Sequence, residues 1–349
     1  MTTARKAPIT LHDVAREAGV SLATASRSLN GSARRVNEDY RKRVLAAAAK
    51  LNYTPNTSAQ AVAKGTTNTV ALLVADIADP YFSSIAAGVI RSAEDAGLIV
   101  TMAATERSPE RELTLVRALR GQRPRVLILA ASRVAEEASQ DALIAELAAF
   151  EAMGGRVVFI SRNELDFDSV LVDNYGGARQ LAEELIGLGY RRFAALAGDL
   201  SLLTAQDRIA GFTDGLAAHG IELPPDRLVR TGFTRDGGHA GMLELAGRGL
   251  DDVELVFTVN DVMAVGAMSA LRESGREPGV DVGIAGFDDI QTARDVTPAL
   301  TTVRIPLEEV GRRAIARALL PSPESGEPAT PTATEVMLRA STPGPRPGG

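Results

Sequence analysis

Apolar positions recur along this chain in two rhythms. Over residues 11–18, Leu11, Val14, Ala15 and Ala18 stand at i, i+3, i+4 and i+7, one face of a helix. Thr10 before them and Asp13 three residues on make a capping-box-like start, and Gly19 supplies the left-handed stop. Ser21 is placed to cap a second helix that turns Ala25 and Leu29 inward and leaves Leu22, Ala23, Ser26 and Arg27 outside. A polar loop holding Arg34 and Arg35 follows, and Asn37 then caps a third helix with Val44, Ala48 and Leu51 on one stripe. Tyr53 closes this small core and Pro55 breaks the helix. Two helices about a glycine-containing turn, the second with a small-residue outer face, predict a helix-turn-helix whose second helix enters a DNA major groove.

From Thr69 the rhythm changes. TVALLVA, LIVTMAA, RVLILAA and RVVFIS are short aliphatic runs, with amphipathic helices expected near 83–96, 109–121 and 140–152. A second series follows, SVLVD, RFAALAG, DRLVRTG, ELVFTV and DVGIAGF, separated by helical stretches near 176–188, 205–219, 236–248 and 261–274. Near-continuous apolar strands alternating with helices predict parallel sheets covered on both faces, here in two lobes of related architecture. Between the two rhythms lies NTSAQAVAKGTTN, whose apolar residues are all small. Isolated helices shorter than about 12 residues are marginal in water, so this segment is expected to turn helical only when something holds it.

Charge separates the two parts. Residues 1–65 carry 11 Lys+Arg against 4 Asp+Glu, leaving 27 against 40 for the remainder. A basic head on an acidic body puts any polyanionic partner at the head, because phosphate contacts dominate affinity for nucleic acid. The 349 residues, 45% of them hydrophobic, suit two or three domains with sizeable cores. No run of about 18 apolar residues exists to span a membrane, and no apolar stretch follows the basic N-terminus as a secretory signal requires. With no cysteine there is no disulfide, thiolate nucleophile or zinc-thiolate site, which fits a reducing cytoplasm.

ITLHDVAREAGVS, TASRSLNG and YTPN resemble the DNA-binding headpiece of the lactose-repressor (LacI/GalR) family of bacterial regulators. DPYF at 79–82, SRN at 161–163, VDNYGGA at 172–178, DRIAGF at 207–212, VNDVMAVGAM at 259–268, GFDD at 286–289 and TPALTTV at 297–303 extend the likeness over nearly the whole chain. The resemblance implies an all-α headpiece (1–55), a hinge helix (56–68) and a two-lobed, periplasmic-binding-protein-like α/β core (69–340). It implies crossovers near 162, 291 and 322, so that 69–161 with 292–321 make one lobe and 162–291 with 322–340 the other; the proline- and glycine-rich 341–349 are expected to be disordered. It further implies a sequence-specific repressor, dimer or dimer of dimers, bound to a palindromic operator and controlled by a small ligand, expected to be a sugar. Base readers would be Leu22, Ala23 and Arg27, with Thr10, Ser21, Thr24, Ser26, Asn37, Tyr53, Asn56 and Ala59 at the DNA and Val62 as a minor-groove wedge. Two residues depart from the family pattern: Val62 stands where leucine is usual and Gln60 where arginine is usual.

Ligands of open α/β sheets bind beyond the carboxyl ends of strands. Those places hold Asp79, Tyr81, Phe82, Arg162, Thr204, Arg208, Phe233, Asn260 and Asp288, with Asp261 expected as a helix cap. Bidentate donors and acceptors beside aromatic faces suit a sugar. By the resemblance, Arg208, Asn260 and Asp288 contact the effector and Phe82 and Phe233 line its pocket. Each residue also has a plainer structural reading, such as Arg208 pairing with Asp207; their coincidence at strand ends favours binding. Enzyme chemistry finds no support. There is no Walker A sequence or G-x-S-x-G elbow, Gly279, Gly283 and Gly286 have the wrong spacing for a dinucleotide fold, and His12, His219 and His239 are scattered, so no cofactor or metal is expected. The rival class, a solute-binding protein of a sugar transport system, is disfavoured by the basic head and the missing signal.

Overall fold

The computed structural model describes residues 9–30, 36–54, 67–130, 137–162, 165–320 and 330–345. The chain divides into two compact units, Met1–Thr67 and Asn68–Gly349. The expected hinge residues Asn56, Ala59, Gln60 and Val62 lie outside the described residues.

The first unit contains α1 (Leu11–Ala18), α2 (Leu22–Asn30) and α3 (Glu38–Lys50) around a core of Val14, Ala15, Ala18, Ala25, Val44, Ala47 and Ala48, edged by Leu29, Leu51 and Tyr53. The Asp13 carboxylate accepts from the Thr10 N–H at 3.0 Å and the Thr10 hydroxyl at 2.7 Å, fixing the start of α1. Gly19 ends it at φ 62°, the left-handed region that glycine enters without cost. Arg43, reaching from α3, donates to the Ala18 and Gly19 carbonyls, a cation on the negative end of α1.

The second unit holds two parallel sheets. The first has the order β2-β1-β3-β4-β5, from β1 (Thr69–Val74), β2 (Ile99–Ala104), β3 (Val126–Ala130), β4 (Arg156–Ile160) and β5 (Asp168–Val170). Alternate residues face opposite sides. Ala71, Leu73, Leu127, Leu129, Val157 and Phe159 meet α5 (Pro109–Gly121) and α6 (Glu137–Ala152) through Val116, Leu119, Leu143, Leu147 and Phe150. Val70, Leu72, Ile128, Val158 and Ile160 share the other core with Phe82, Ile85 and Val89 of α4 (Pro80–Asp95) and Val310, Ala314 and Ile315 of α12 (Leu307–Leu319). The helices α4 and α12 cross at glycines: a Cβ on Gly88 would lie 2.0 Å from the Glu308 carbonyl oxygen, and one on Gly311 2.2 Å from that of Ile85.

The second sheet, β7-β6-β8-β9, comprises β6 (Phe193–Leu196), β7 (Leu228–Val229), β8 (Leu255–Thr258) and β9 (Gly283–Ala285). Around it lie α7 (Asn174–Gly187), α8 (Leu203–Ala217), α9 (Arg235–Arg248), α10 (Asp261–Glu273) and the short α11 (Thr292–Asp295). An antiparallel pair, β10 (Thr302–Arg304) with β11 (Glu335–Met337), completes the unit.

Four expectations are corrected. SVLVD does not begin the second series: its strand β5 pairs with β4, Val158 opposite Asp168, so the first crossover follows β5 rather than lying near 162. The second falls after β10 rather than near 291, because Thr301 and Thr302 bond to Gly286 and Asp261 of the second lobe, and only α12 returns to the first. The strand β2 is an uncovered edge, with Ile99 69% exposed, not a strand buried on both faces. Ser341 and Thr342 are packed rather than disordered: the Ser341 hydroxyl donates to the Ile284 carbonyl at 2.6 Å and accepts from Thr301 N–H at 2.8 Å.

Asp289 ties α11, β10 and the chain after β11 to the corner that follows β9. Its buried carboxylate accepts from Arg304 Nε at 2.7 Å and from Arg339 Nη2, with Arg294 Nη2 at 3.7 Å. Removing one member of a buried charge network leaves the others unpaired, at roughly 3–5 kcal/mol. Part of the arginine surface here is wet, so Asp289→Ala should destabilise this unit by about 3 kcal/mol in urea unfolding, against no more than about 1 kcal/mol for the exposed Glu94→Ala.

Candidate functional site

On α2, Leu22, Ala23 and Arg27 are exposed, Thr24 and Ser26 are half-buried and Ala25 is fully buried, as a helix with one face in a core and one in solvent requires. The Ser21 hydroxyl accepts from Thr24 N–H at 3.1 Å and meets the Thr24 hydroxyl at 2.8 Å, capping the helix. Asn37 caps α3 by accepting from Asp39 N–H at 2.9 Å. Ser28, which has no outward role, is buried and returns its hydroxyl to the Thr24 carbonyl at 2.8 Å. The headpiece therefore presents a short apolar and cationic strip at the start of α2, held by the Ser21 cap.

In the second unit both sheets reverse their strand order beside their middle strands, at β1/β3 and at β6/β8. Segments after β1, β6, β7 and β9, with the end of β4, line one cleft of about 370 Å³, with Asp79, Tyr81, Phe82, Ile160 and Ser161 from the first lobe and Thr204, Arg208, Phe233 and Asp288 from the second. Seven of the nine residues expected from strand ends thus come together. Asp79 caps α4 through Tyr81 N–H at 3.0 Å, and Tyr81 and Phe82 meet edge to face at 4.9 Å.

The floor is a buried ion pair. Arg208, 1% exposed, donates from Nε to Asn174 Oδ1 at 2.9 Å and from Nη1 to the Val259 carbonyl at 2.7 Å, while Nη2 lies 2.7 Å from Asp288 Oδ1. Its guanidinium stacks 4.0 Å from the centre of the Phe287 ring. Arg208 is thereby fixed on every side, and it pairs with Asp288 rather than its neighbour Asp207. Asp288 and Asp289 both take positive φ, 118° and 53°, a backbone cost for non-glycine residues that the surrounding bonds hold in place. Burial raises both cleft carboxyls: Asp288 is pushed up to about 7 although Arg208 pulls it down, and Asp79 is raised in the same direction against its bond from Tyr81 N–H.

Two expected residues stand apart from the cleft lining. Arg162, nearly half exposed, pairs with Asp207 instead. Asn260 is buried as the cap of α10, its Oδ1 accepting from Met263 N–H at 2.9 Å while its Nδ2 has no hydrogen-bond partner. Asp261, expected as that cap, is wholly buried and accepts from Ile290 N–H at 2.9 Å and the Thr302 hydroxyl at 2.6 Å, and burial raises it too. Ser161, Asn174 and Phe287 went unassigned, although each lies inside or beside a motif at a strand end.

The family model for bacterial regulatory proteins of the lacI family matches residues 10–56, and that for a periplasmic binding protein-like domain matches residues 182–342. The HTH-type transcriptional regulator GalR of Escherichia coli K12 is 34% identical over 313 residues, covering 89% of this chain and 88% of its own. CelR of Thermobifida fusca is 33% identical over 341 residues, covering 95% and 98%. Among solved structures, a lac repressor dimer bound to operator and the anti-inducer ONPF aligns with a TM-score of 0.82 at 29% identity, covering 96% and 99%. A CelR–cellobiose complex aligns with a TM-score of 0.67 at 31% identity, covering 95% and 99%. The chain belongs to the lacI family of bacterial regulatory proteins, as a helix-turn-helix transcriptional regulator with a periplasmic-binding-protein-like core.

The raised carboxyl at 288 has a signed consequence. An ordinary aspartate near 3.8 that rises to about 7 on folding favours the folded state fully below about pH 4, and that contribution is lost as pH climbs to about 7. Asp288→Asn cannot titrate. Between pH 5 and 8 its melting temperature should therefore rise relative to that of the unaltered protein by a few degrees, as measured by calorimetry at both pH values; one pKa unit is about 1.4 kcal/mol, and about 1 kcal/mol moves a domain of this size by roughly 2–4 °C.

Proposed function

We propose that this regulator is a dimeric repressor that binds a palindromic operator and is controlled by a sugar or sugar derivative held between its lobes. The observation that carries the ligand half is the buried Arg208–Asp288 pair at the floor of an aromatic-walled cleft. Adjacent ring hydroxyls both donate and accept, and a fixed guanidinium beside a carboxylate offers both partners in one plane. Tyr81, Phe82 and Phe233 supply apolar faces for the C–H surface of a sugar ring, Asp79 and Thr204 offer further polar groups, and the unpartnered Asn260 Nδ2 is a buried donor suited to a ligand oxygen. Arg162 belongs to the set only through its place beside Ser161. The kinship with a CelR–cellobiose complex supports a carbohydrate over other small molecules. The ligand is bound without turnover, and the setting is the cytoplasm.

The DNA half rests on the exposed start of α2. Leu22, Ala23 and Arg27 read base edges in the major groove, with Ser21, Thr24, Ser26, Thr10, Asn37 and Tyr53 around them, and dimer symmetry selects an inverted repeat. By the family resemblance, the role of a hinge at the minor groove between half-sites falls to residues 56–68, with Val62 as the wedge and Asn56 and Ala59 beside it. A ligand that binds one angle between the lobes better than another shifts the spacing of the two hinges, by no more than its difference in affinity for the two states. The likeness to a lac repressor dimer bound to operator supports a dimer on DNA.

A thermal-shift screen against a sugar library tests the ligand half, because a ligand that binds only the native state raises the melting temperature. A complete absence of shifts would count against a sugar. Arg27→Ala should cost about 1–3 kcal/mol of operator discrimination in gel-shift competition while leaving the melting shift with the same sugar intact; unchanged footprints would remove Arg27 from the reading surface. Val62→Leu should tighten operator binding several-fold, since a larger wedge fills an unstacked base step better, and equal or weaker affinity would argue against a minor-groove role.

A further inference from the structure

The cleft carries a second charged layer at its mouth. Arg107 stands in the turn between β2 and α5, where Glu106 and Arg107 take φ of 54° and 58°, two successive non-glycine residues in the left-handed region. The turn is pinned at both ends: Thr105 N–H donates to the Val74 carbonyl at 2.9 Å, and Arg111 Nε donates to the Ala104 carbonyl at 3.0 Å. From this base the guanidinium, 23% exposed, reaches three groups. Nη1 bonds Asp76 Oδ2 at 3.2 Å, Nη2 lies 3.6 Å from Asp79 Oδ2, and Cζ lies 5.9 Å from the centre of the Phe233 ring. Both aspartates belong to the first lobe and Phe233 to the second.

The distances give these contacts different tasks. The bond to Asp76 fixes the side chain. At 3.6 Å the contact with Asp79 is electrostatic rather than a hydrogen bond, so Asp79 Oδ2 faces a cation yet keeps its capacity to accept, while Oδ1 is occupied by Tyr81 N–H. The Arg208 cation is committed to Asp288. Arg107 is thus the cation that faces Asp79, and because it also serves Asp76 it leaves the mouth of the cleft without an unpaired positive charge. The contact with Phe233 joins one lobe to the other across the cleft, with Asp79 and Phe233 themselves among its lining.

We propose that Arg107 is a further positioning residue of the ligand site and its gate: it holds Asp79 as a charged acceptor and closes the mouth by stacking on Phe233, which a ligand must part to enter. This rests in part on the reading of the cleft as a carbohydrate site, since a mouth whose one cation already serves two carboxylates suits a neutral polyhydroxylated ligand and offers an anionic one no unpaired cation. The gate itself needs no particular ligand.

The chain has no cysteine, so two introduced ones can carry a donor and an acceptor dye without background labelling. Glu94→Cys on the first lobe and His219→Cys on the second, both exposed, report the separation of the lobes. Labelled chain is diluted into an excess of unlabelled chain, so that each assembly holds one dye pair, and single-molecule energy transfer is recorded without ligand. Arg107→Met, which keeps the stem and loses the charge, should lower the closed-to-open ratio about two- to fivefold, the range of a partly exposed cation–π contact. Phe233→Leu should do the same, the double variant should add little, and Arg107→Lys should restore part of the closed population. An unchanged distribution in Arg107→Met, or effects of Arg107→Met and Phe233→Leu that simply add, overturns the gate. Cellobiose serves as the carbohydrate probe: if it leaves the distribution of the unaltered protein untouched while Arg107→Met shifts it, cellobiose recognition fails and the gate stands.

Discussion

Everything in the ligand-binding unit turns on the corner made by Asp288 and Asp289. Two neighbouring carboxylates, each buried, face opposite duties: one meets Arg208 at the cleft floor and the other gathers arginines from the chain around the crossovers. Peptide geometry allows this only because both residues take left-handed backbone angles that non-glycine side chains avoid. The main chain seals the corner, with Asp288 N–H donating to the Val303 carbonyl at 2.8 Å and Ile305 N–H to the Asp288 carbonyl at 3.3 Å. The cleft floor is thereby bonded directly to the chain at β10 and just after it.

Burial is what makes the corner effective and what makes it costly. In a low dielectric an unpaired charge is expensive, so Arg208 is surrounded by Asn174, the Val259 carbonyl, Asp288 and the Phe287 face, and has little freedom to reorganise. A site fixed before its ligand arrives loses little entropy on binding. Asp261 behaves in the same way one layer deeper: it is not the helix cap but a staple between α10, the strand end after β9 and β10.

Legibility in the sequence followed the physics that each feature obeys. Strands and helices of the core, and the three helices of the headpiece, were legible because side-chain period and caps are local properties. Which sheet SVLVD joins is not local: a short apolar run fits the edge of either sheet, and only the partner β4 decides. Ser341 and Thr342 sit in a stretch whose prolines and glycines suggest disorder, yet their hydroxyls satisfy buried groups on Ile284 and Thr301. The cleft was legible where strand ends place Asp79, Arg208 and Asp288, and not where function depends on a turn; nothing in ATERSPE announces that Arg107 reaches Phe233.

The crossing of α4 and α12 at Gly88 and Gly311 has a bearing on how the protein is made. The helix that covers one face of the first sheet is encoded near the end of the chain, at Leu307–Leu319. Translation must therefore pass Leu319 before the first lobe can cover that face, whereas the three-helix headpiece is complete by Tyr53 and forms its own unit. Each newly made molecule thus acquires its DNA-binding part well before it acquires the part that senses ligand, and the glycine crossing marks the moment at which control becomes available.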